Sequence, residues 1–68
     1  MTFQERMNSV LNERMVTKIA VAEKLNMPIS TFAYKCEDIN RWSWVEFKQL
    51  IKILRLEPEE VDFLSDEV

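Results

Sequence analysis

The chain has 68 residues, with nine Lys and Arg against twelve Asp and Glu, and a net charge of −3. It has no His and one Cys, so it contains neither the ligands of a typical zinc site nor a catalytic Cys–His pair. Its longest apolar run, residues 19–22, is far shorter than the ~20 residues that cross a membrane. We therefore expect one small domain that works by binding, is not an enzyme, and has no cofactor and no secretion signal.

The charge is distributed unevenly along the sequence. Residues 57–68 contain six acidic and no basic side chains, whereas residues 1–56 carry nine basic and six acidic ones, a net charge of +3. On charge alone, a net +3 over 56 residues is more typical of an ordinary solvated surface. The same distribution would also let the body of the domain meet an anionic partner and the acidic C-terminal segment 57–68 meet a basic one.

Helical signals follow one another along the whole chain. Thr2 and Glu5, and again Ser43 and Glu46, have the spacing of a capping box, in which each side chain binds the backbone N–H of the other residue. Apolar residues recur at three- and four-residue intervals behind both boxes, and the chain has no Gly and only two Pro. These patterns predict a compact all-α domain whose five helices cover about 2–14, 17–25, 28–36, 43–54 and a short segment from 58 onward.

One core is expected to join these helices. Its predicted members share the inward apolar faces: Phe3, Met7, Leu11, Val21, Leu25, Phe32, Phe47, Leu50, Ile51 and Leu54, with Val61 and Leu64 closing it. Because Trp42 and Trp44 are two residues apart, they cannot face the same core, so we expect one to be buried and the other exposed. Cys36 is expected to be a small buried residue, and residues 37–42 to form a loop without strand pairing in 39–45.

The second and third helices are short and close together in sequence. Residues 26–28 are too few to let two helices run antiparallel over any distance, so we expect the helices to cross steeply. Asn26 suits the left-handed conformation in which a helix often ends. The third helix then exposes Ser30, Thr31 and Tyr34, which is the geometry of a helix-turn-helix that places its second helix in the major groove of DNA.

The segment 17–37 resembles the helix-turn-helix of the Cro and lambda-repressor type family. The matching positions are Thr17, Val21, Ala22, Leu25, Met27, Thr31 and Phe32. The next apolar residues resemble the fourth and fifth helices of that family: Phe47, Leu50, Ile51, Ile53 and Leu54, and then Leu56 to Val61. The resemblance extends over about residues 3–64 and implies one five-helix, lambda-repressor-like DNA-binding domain over residues 1–68.

The resemblance also implies which residues meet the DNA. They lie at the start of the second helix, at the base-facing positions of the third helix and in the loop after it: Lys18, Ile29, Ser30, Thr31, Tyr34, Asn40 and Arg41. In this family the C-terminal helix often supplies the dimer contact, which makes Phe63 a candidate, and an exposed Trp44 is a second one. Lys18 would meet a phosphate as a point charge, and Ser30 and Thr31 can hydrogen-bond base edges.

Three features depart from the family pattern. Pro28 replaces the usual polar residue before the third helix, so one capping hydrogen bond is missing. Glu37 and Asp38 follow that helix, where they are expected to repel passing phosphates. The base-facing positions of the helix contain no Arg, the residue that most often contacts guanine specifically.

Two functions are compatible with this sequence. The resemblance implies a sequence-specific transcriptional regulator, a phage- or mobile-element-type repressor of the Cro/CI kind. It would occupy a double-stranded DNA operator as a homodimer in the cytoplasm of a bacterial or phage-infected cell, without a cofactor and without a membrane. The alternative is a protein-interaction module on the same fold, such as an antirepressor or inhibitor, which meets its partner through the acidic C-terminal end and exposed aromatic residues.

Overall fold

The computed structural model describes residues 2–65, which form five α-helices and one short 3₁₀ helix. The α-helices are α1 (Phe3–Glu13), α2 (Lys18–Lys24), α3 (Ile29–Cys36), α4 (Trp44–Leu54) and α5 (Pro58–Ser65). No β-strand is present in these residues, which confirms the all-α prediction. None of the helices within residues 2–65 is both long and apolar enough to cross a membrane. The predicted acidic segment continues to Asp66 and Glu67, which lie outside the described residues.

Both predicted capping boxes are confirmed. The Thr2 hydroxyl accepts the N–H of Glu5 at 3.1 Å, and the Glu5 carboxylate accepts the N–H of Thr2 at 2.8 Å. Ser43 and Glu46 make the same reciprocal pair at the start of α4, at 3.1 and 3.0 Å. Each box gives partners to two N–H groups that a helix start otherwise leaves unbonded, which is why these two helices begin where the sequence predicts.

Three helices end on left-handed residues although the chain has no Gly. Met15, Asn26 and Arg55 follow α1, α2 and α4 with φ of 56°, 58° and 53°. The residue after each one donates its N–H to the carbonyl five residues earlier, as Met27 does to Ala22 at 3.1 Å. This Schellman pattern satisfies terminal carbonyls, and it confirms the conformation predicted for Asn26. Met15 and Arg55 adopt it at a higher steric cost, since their side chains give no local compensation.

A single core joins all five helices. Its buried members are Met7, Val10, Leu11, Val21, Ala22, Leu25, Phe32, Cys36, Trp42, Phe47, Leu50, Leu54, Leu56 and Leu64. Phe3, Ile51 and Val61 were expected among them but are only half-buried and pack at the edge. Phe3 lies in the first turn of α1, where no earlier turn covers it. Ile51 lies at the side of the apolar stripe of α4 rather than at its centre.

Residues 37–42 are more regular than the predicted loop. Ile39–Arg41 form the 3₁₀ helix, and the Asp38 carboxylate accepts the N–H of Asn40 at 2.9 Å at its start. The prediction missed this element because one helical turn of three residues leaves no apolar periodicity to read. It connects α3 to α4 and contacts α3.

The two tryptophans have the opposite environments that their spacing predicts. Trp42 is buried edge-on to the rings of Phe32 and Phe47, with centroids 6.0 and 6.1 Å apart. Its indole N–H donates to the carbonyl of Lys35 at 2.8 Å, so its one polar atom is satisfied. Trp44, the first residue of α4, is 70% exposed.

Candidate nucleic-acid interface

The outward face of α3 is polar and exposed. Phe32 and Cys36 point into the core, and Ser30 and Tyr34 lie on the opposite side, one turn apart. Thr31, expected to face outward with them, is half-buried because it lies between the two faces. The helix packs on α2 and α1, and this packing fixes the backbone from which its outward side chains project.

The start of α3 has no side-chain cap. Pro28 occupies the capping position without a side-chain hydrogen bond, as its residue type requires. Ile29 follows it as the first helical residue and is exposed, which leaves its side chain available to an apolar contact such as a thymine methyl group. The exposed N-terminal half of α3 therefore presents one apolar and one hydroxyl-bearing side chain, Ile29 and Ser30.

Lys18 begins α2 close to the end of α3. Its charge acts on Cys36, although burial dominates and raises the pKa of the Cys36 thiol to about 11. The thiol therefore stays protonated near neutral pH, which agrees with a packing residue rather than a nucleophile. Within the described residues, no three His, Cys, Asp or Glu side chains are grouped so that they could hold a metal ion.

Arg41 lies on the surface of α3, although it belongs to the 3₁₀ helix. The carbon of its guanidinium is 3.9 Å from the centroid of the Tyr34 ring. Its Nη1 donates to the Tyr34 carbonyl at 2.8 Å and to the Glu37 carboxylate at 2.9 Å. The hydrogen bond to Glu37 is the main reason why the pKa of Arg41 is raised, so the guanidinium remains charged.

These contacts change the interpretation of three sequence features. The face of α3 does carry an arginine, but the arginine is supplied from outside the helix, seven residues after Tyr34. Glu37, expected to repel phosphates, is paired with Arg41, and Asp38 caps the 3₁₀ helix. The four-residue spacing of Glu37 and Arg41 was the one signal from which this pair could have been found. Asn40, the residue before Arg41, is exposed.

Lys35 makes contacts at the end of α3 that the sequence did not indicate. Its Nζ donates at 2.9 Å both to the carbonyl of Arg41 and to the carboxylate of Glu46. The pKa of Glu46 is lowered, first by the N–H of Ser43 and then by Lys35. Lys35 therefore ties the end of α3 to the 3₁₀ helix and to α4, and it keeps Arg41 in place through that residue's backbone.

The two candidate dimer contacts lie on different helices. Phe63 of α5 is partly covered by Arg6, whose guanidinium carbon is 5.3 Å from the ring centroid and whose Nη1 donates to the Phe63 carbonyl at 2.7 Å. Trp44 of α4 has Lys48 Nζ 5.9 Å from its ring centroid. Beside Trp44 lies a shallow groove of about 300 Å³, lined by Ile39, Trp42, Ser43, Trp44, Phe47 and Ser65.

Protein-family models, curated proteins and solved structures give no match to this chain. On the outward face of α3, exposed hydroxyl groups lie beside the guanidinium of Arg41, whereas Lys18 is half-buried and its charge acts on Cys36 on the core side of the helix.

Proposed function

We propose that this domain is a sequence-specific DNA-binding regulator, a phage- or mobile-element-type repressor of Cro and lambda-repressor type. The observation that carries the proposal is the face of α3, on which Ser30 and Tyr34 are exposed one turn apart opposite a buried apolar side. A helix with this pattern, packed against a preceding short helix, is how a helix-turn-helix presents side chains to the major groove. The Ser30 hydroxyl can hydrogen-bond a base edge, and Ile29 can contact a thymine methyl group.

The charges around α3 support the same proposal. Lys18 at the start of α2 would meet a phosphate, and a phosphate contact positions the protein without reading sequence. Repression would follow from occupation of an operator that overlaps a promoter. A homodimer would read two half-sites about one helical turn of DNA apart, roughly 34 Å, with Phe63 and Trp44 as the candidate dimer contacts.

Binding to DNA at several salt concentrations tests this function. We expect steep weakening with salt, and we expect Lys18→Ala to reduce the slope of log affinity against log salt by about one unit on specific and random duplexes alike. Lys24→Ala is the matched control, because Lys24 is an exposed lysine at the other end of the same helix. Ser30→Ala should cost about 1–3 kcal/mol on the preferred site and much less on random DNA.

Two results of that experiment would contradict the proposal. The first is no binding to any duplex at low salt, and the second is an affinity that does not depend on salt. An unchanged ratio of specific to random binding in Ser30→Ala, with the helical circular dichroism intact, would remove Ser30 from the reading face.

A different observation favours the alternative function of a protein-interaction module. Trp44 and its neighbour Val45 are both exposed beside the groove described above, and the exposed side of α5 carries Glu59 and Asp62. An exposed Trp is costly to leave in water and is typical of protein interfaces. This function predicts loss of partner binding in Trp44→Ala and no DNA binding at low salt, so the same measurement separates the two functions.

A further inference from the structure

We propose that Arg41, carried on the ring of Tyr34, reads a guanine in the major groove, and that Tyr34 supports this reading residue rather than reading a base itself. The inference rests on the proposed function, in which α3 enters the groove. It states which base, guanine, the surface at the end of α3 recognises.

The argument starts from the hydrogen-bonding groups of the guanidinium. Nη1 has two N–H groups, and the Tyr34 carbonyl and the Glu37 carboxylate account for both. The remaining donors are the N–H of Nε and the two of Nη2. Nε–H and one Nη2–H point the same way along one edge of the planar group, which matches the O6 and N7 acceptors of guanine in a bidentate contact.

The neighbours of Arg41 make a base contact better suited to it than a phosphate contact. The Glu37 carboxylate at 2.9 Å offsets much of the charge that would attract a phosphate from a distance. Directional hydrogen bonds to a base edge depend less on net charge than on geometry. That geometry is already set, because the guanidinium lies over the Tyr34 ring and Nη1 donates a hydrogen bond to the Glu37 carboxylate.

The same contacts reduce the entropy lost on binding. A free Arg side chain loses rotamer entropy when it is ordered. Here the stack on Tyr34 and the two bonds from Nη1 order the side chain before DNA arrives, so less freedom remains to be lost. Glu37 is therefore a positioning residue for Arg41. The Tyr34 ring also positions Arg41, and the Tyr34 hydroxyl takes no part in this.

The experiment selects the preferred site of the wild-type chain from random duplexes and repeats the selection with variants. Arg41→Lys keeps the charge but replaces the rigid planar fork, supported on the Tyr34 ring, by a flexible point charge. We therefore expect the preference for guanine at one position of each half-site to fall by about 5- to 150-fold. Tyr34→Leu should lose the preference at the same position. Tyr34→Phe, which keeps the ring, should retain it. Binding to random DNA should change little in all three.

A second measurement uses the unaltered protein and altered DNA. Replacing that guanine by 7-deazaguanine removes the N7 acceptor, and it should weaken binding of the wild type but not of Arg41→Lys. The proposal is overturned if Arg41→Lys keeps the guanine preference, if Tyr34→Phe loses it as fully as Tyr34→Leu, or if 7-deazaguanine weakens both proteins equally. In each of these cases the wild type still selects a site, so the proposed function stands. If the wild type binds no duplex, both proposals fall together.

Discussion

Among residues 2–65, two arginine–glutamate pairs lie in different surroundings. Arg14 and Glu60 are 46 residues apart, and their side chains are 22% and 23% exposed. Arg41 and Glu37 are one helical turn apart, and their side chains are 32% and 53% exposed. The first pair joins distant parts of the chain, whereas the second is local and open to solvent.

Arg14 makes contacts that hold three helices together. Both of its terminal nitrogens bind the Glu60 carboxylate, its Nε donates to the carbonyl of Leu54 at 2.5 Å, and Nη2 donates to the carbonyl of Arg55 at 3.0 Å. The end of α1 is thereby fixed to the end of α4 and to the first turn of α5. The same two residue types join distant helices when they are shielded and far apart in sequence, and they contribute little to the fold when they are local and exposed. We propose that the second pair serves DNA binding instead.

The largest expected effect is on stability, at the Arg14 pair. Arg14→Ala removes a bidentate ion pair and the partners of two helix-end carbonyls, so we expect the free energy of unfolding to fall by about 2–3 kcal/mol. Arg41→Ala is the matched control and should change it by less than about 1 kcal/mol. Urea denaturation followed by circular dichroism measures both. Equal losses in the two variants would remove the distinction between the pairs.

Lowering the pH should reduce the stabilisation by the Arg14–Glu60 pair. The pKa of Glu60 is lowered, first by the hydrogen bond from Arg14 and then by the N–H of Glu57. Because the carboxyl has a lower pKa when folded than its unfolded value of about 4.3, this stabilisation is present above that pH and is lost as the pH falls through the folded pKa. The difference between the urea midpoints of wild type and Arg14→Ala should therefore be largest at neutral pH and narrow as the pH falls through the folded pKa of Glu60. A difference that stays constant as the pH falls would contradict the assignment.

The smallest expected effect is a gain in stability beside Arg14. Met15 is left-handed and 91% exposed, so Met15→Gly relieves steric strain without removing packing, and we expect about 0.5–1 kcal/mol of stabilisation. Met15→Ala keeps the strained Cβ and should show no such gain. Within the described part of the chain, no left-handed residue lies at the end of α3 beside Arg41, so the second pair has no comparable strain next to it. A urea midpoint of Met15→Gly at or below that of Met15→Ala would contradict this account.

Local signals in the sequence were sufficient for the helices and most of the core. The capping boxes at Thr2 and Ser43 and the left-handed Asn26 each depend on residues three to five positions apart, whose relative placement a helix determines by itself. The apolar spacing likewise places Phe32 and Leu50 in the core. The two-residue spacing of Trp42 and Trp44 predicts that one of them is buried. It does not predict which one, because that depends on which ring packs against Phe32 and Phe47.

Only the tertiary structure decided how the charged residues are used. Nothing near Arg14 in the sequence indicates Glu60, because the pair exists only once α1 and α5 pack together. The sequence shows Glu37 and Arg41 four residues apart, yet the change from α3 to a 3₁₀ helix is what turns Arg41 back over Tyr34. Helix propensity and capping depend on residues a few positions apart, so the sequence alone predicts them. The partners of long charged side chains depend on which residues the packing of the helices brings close to them.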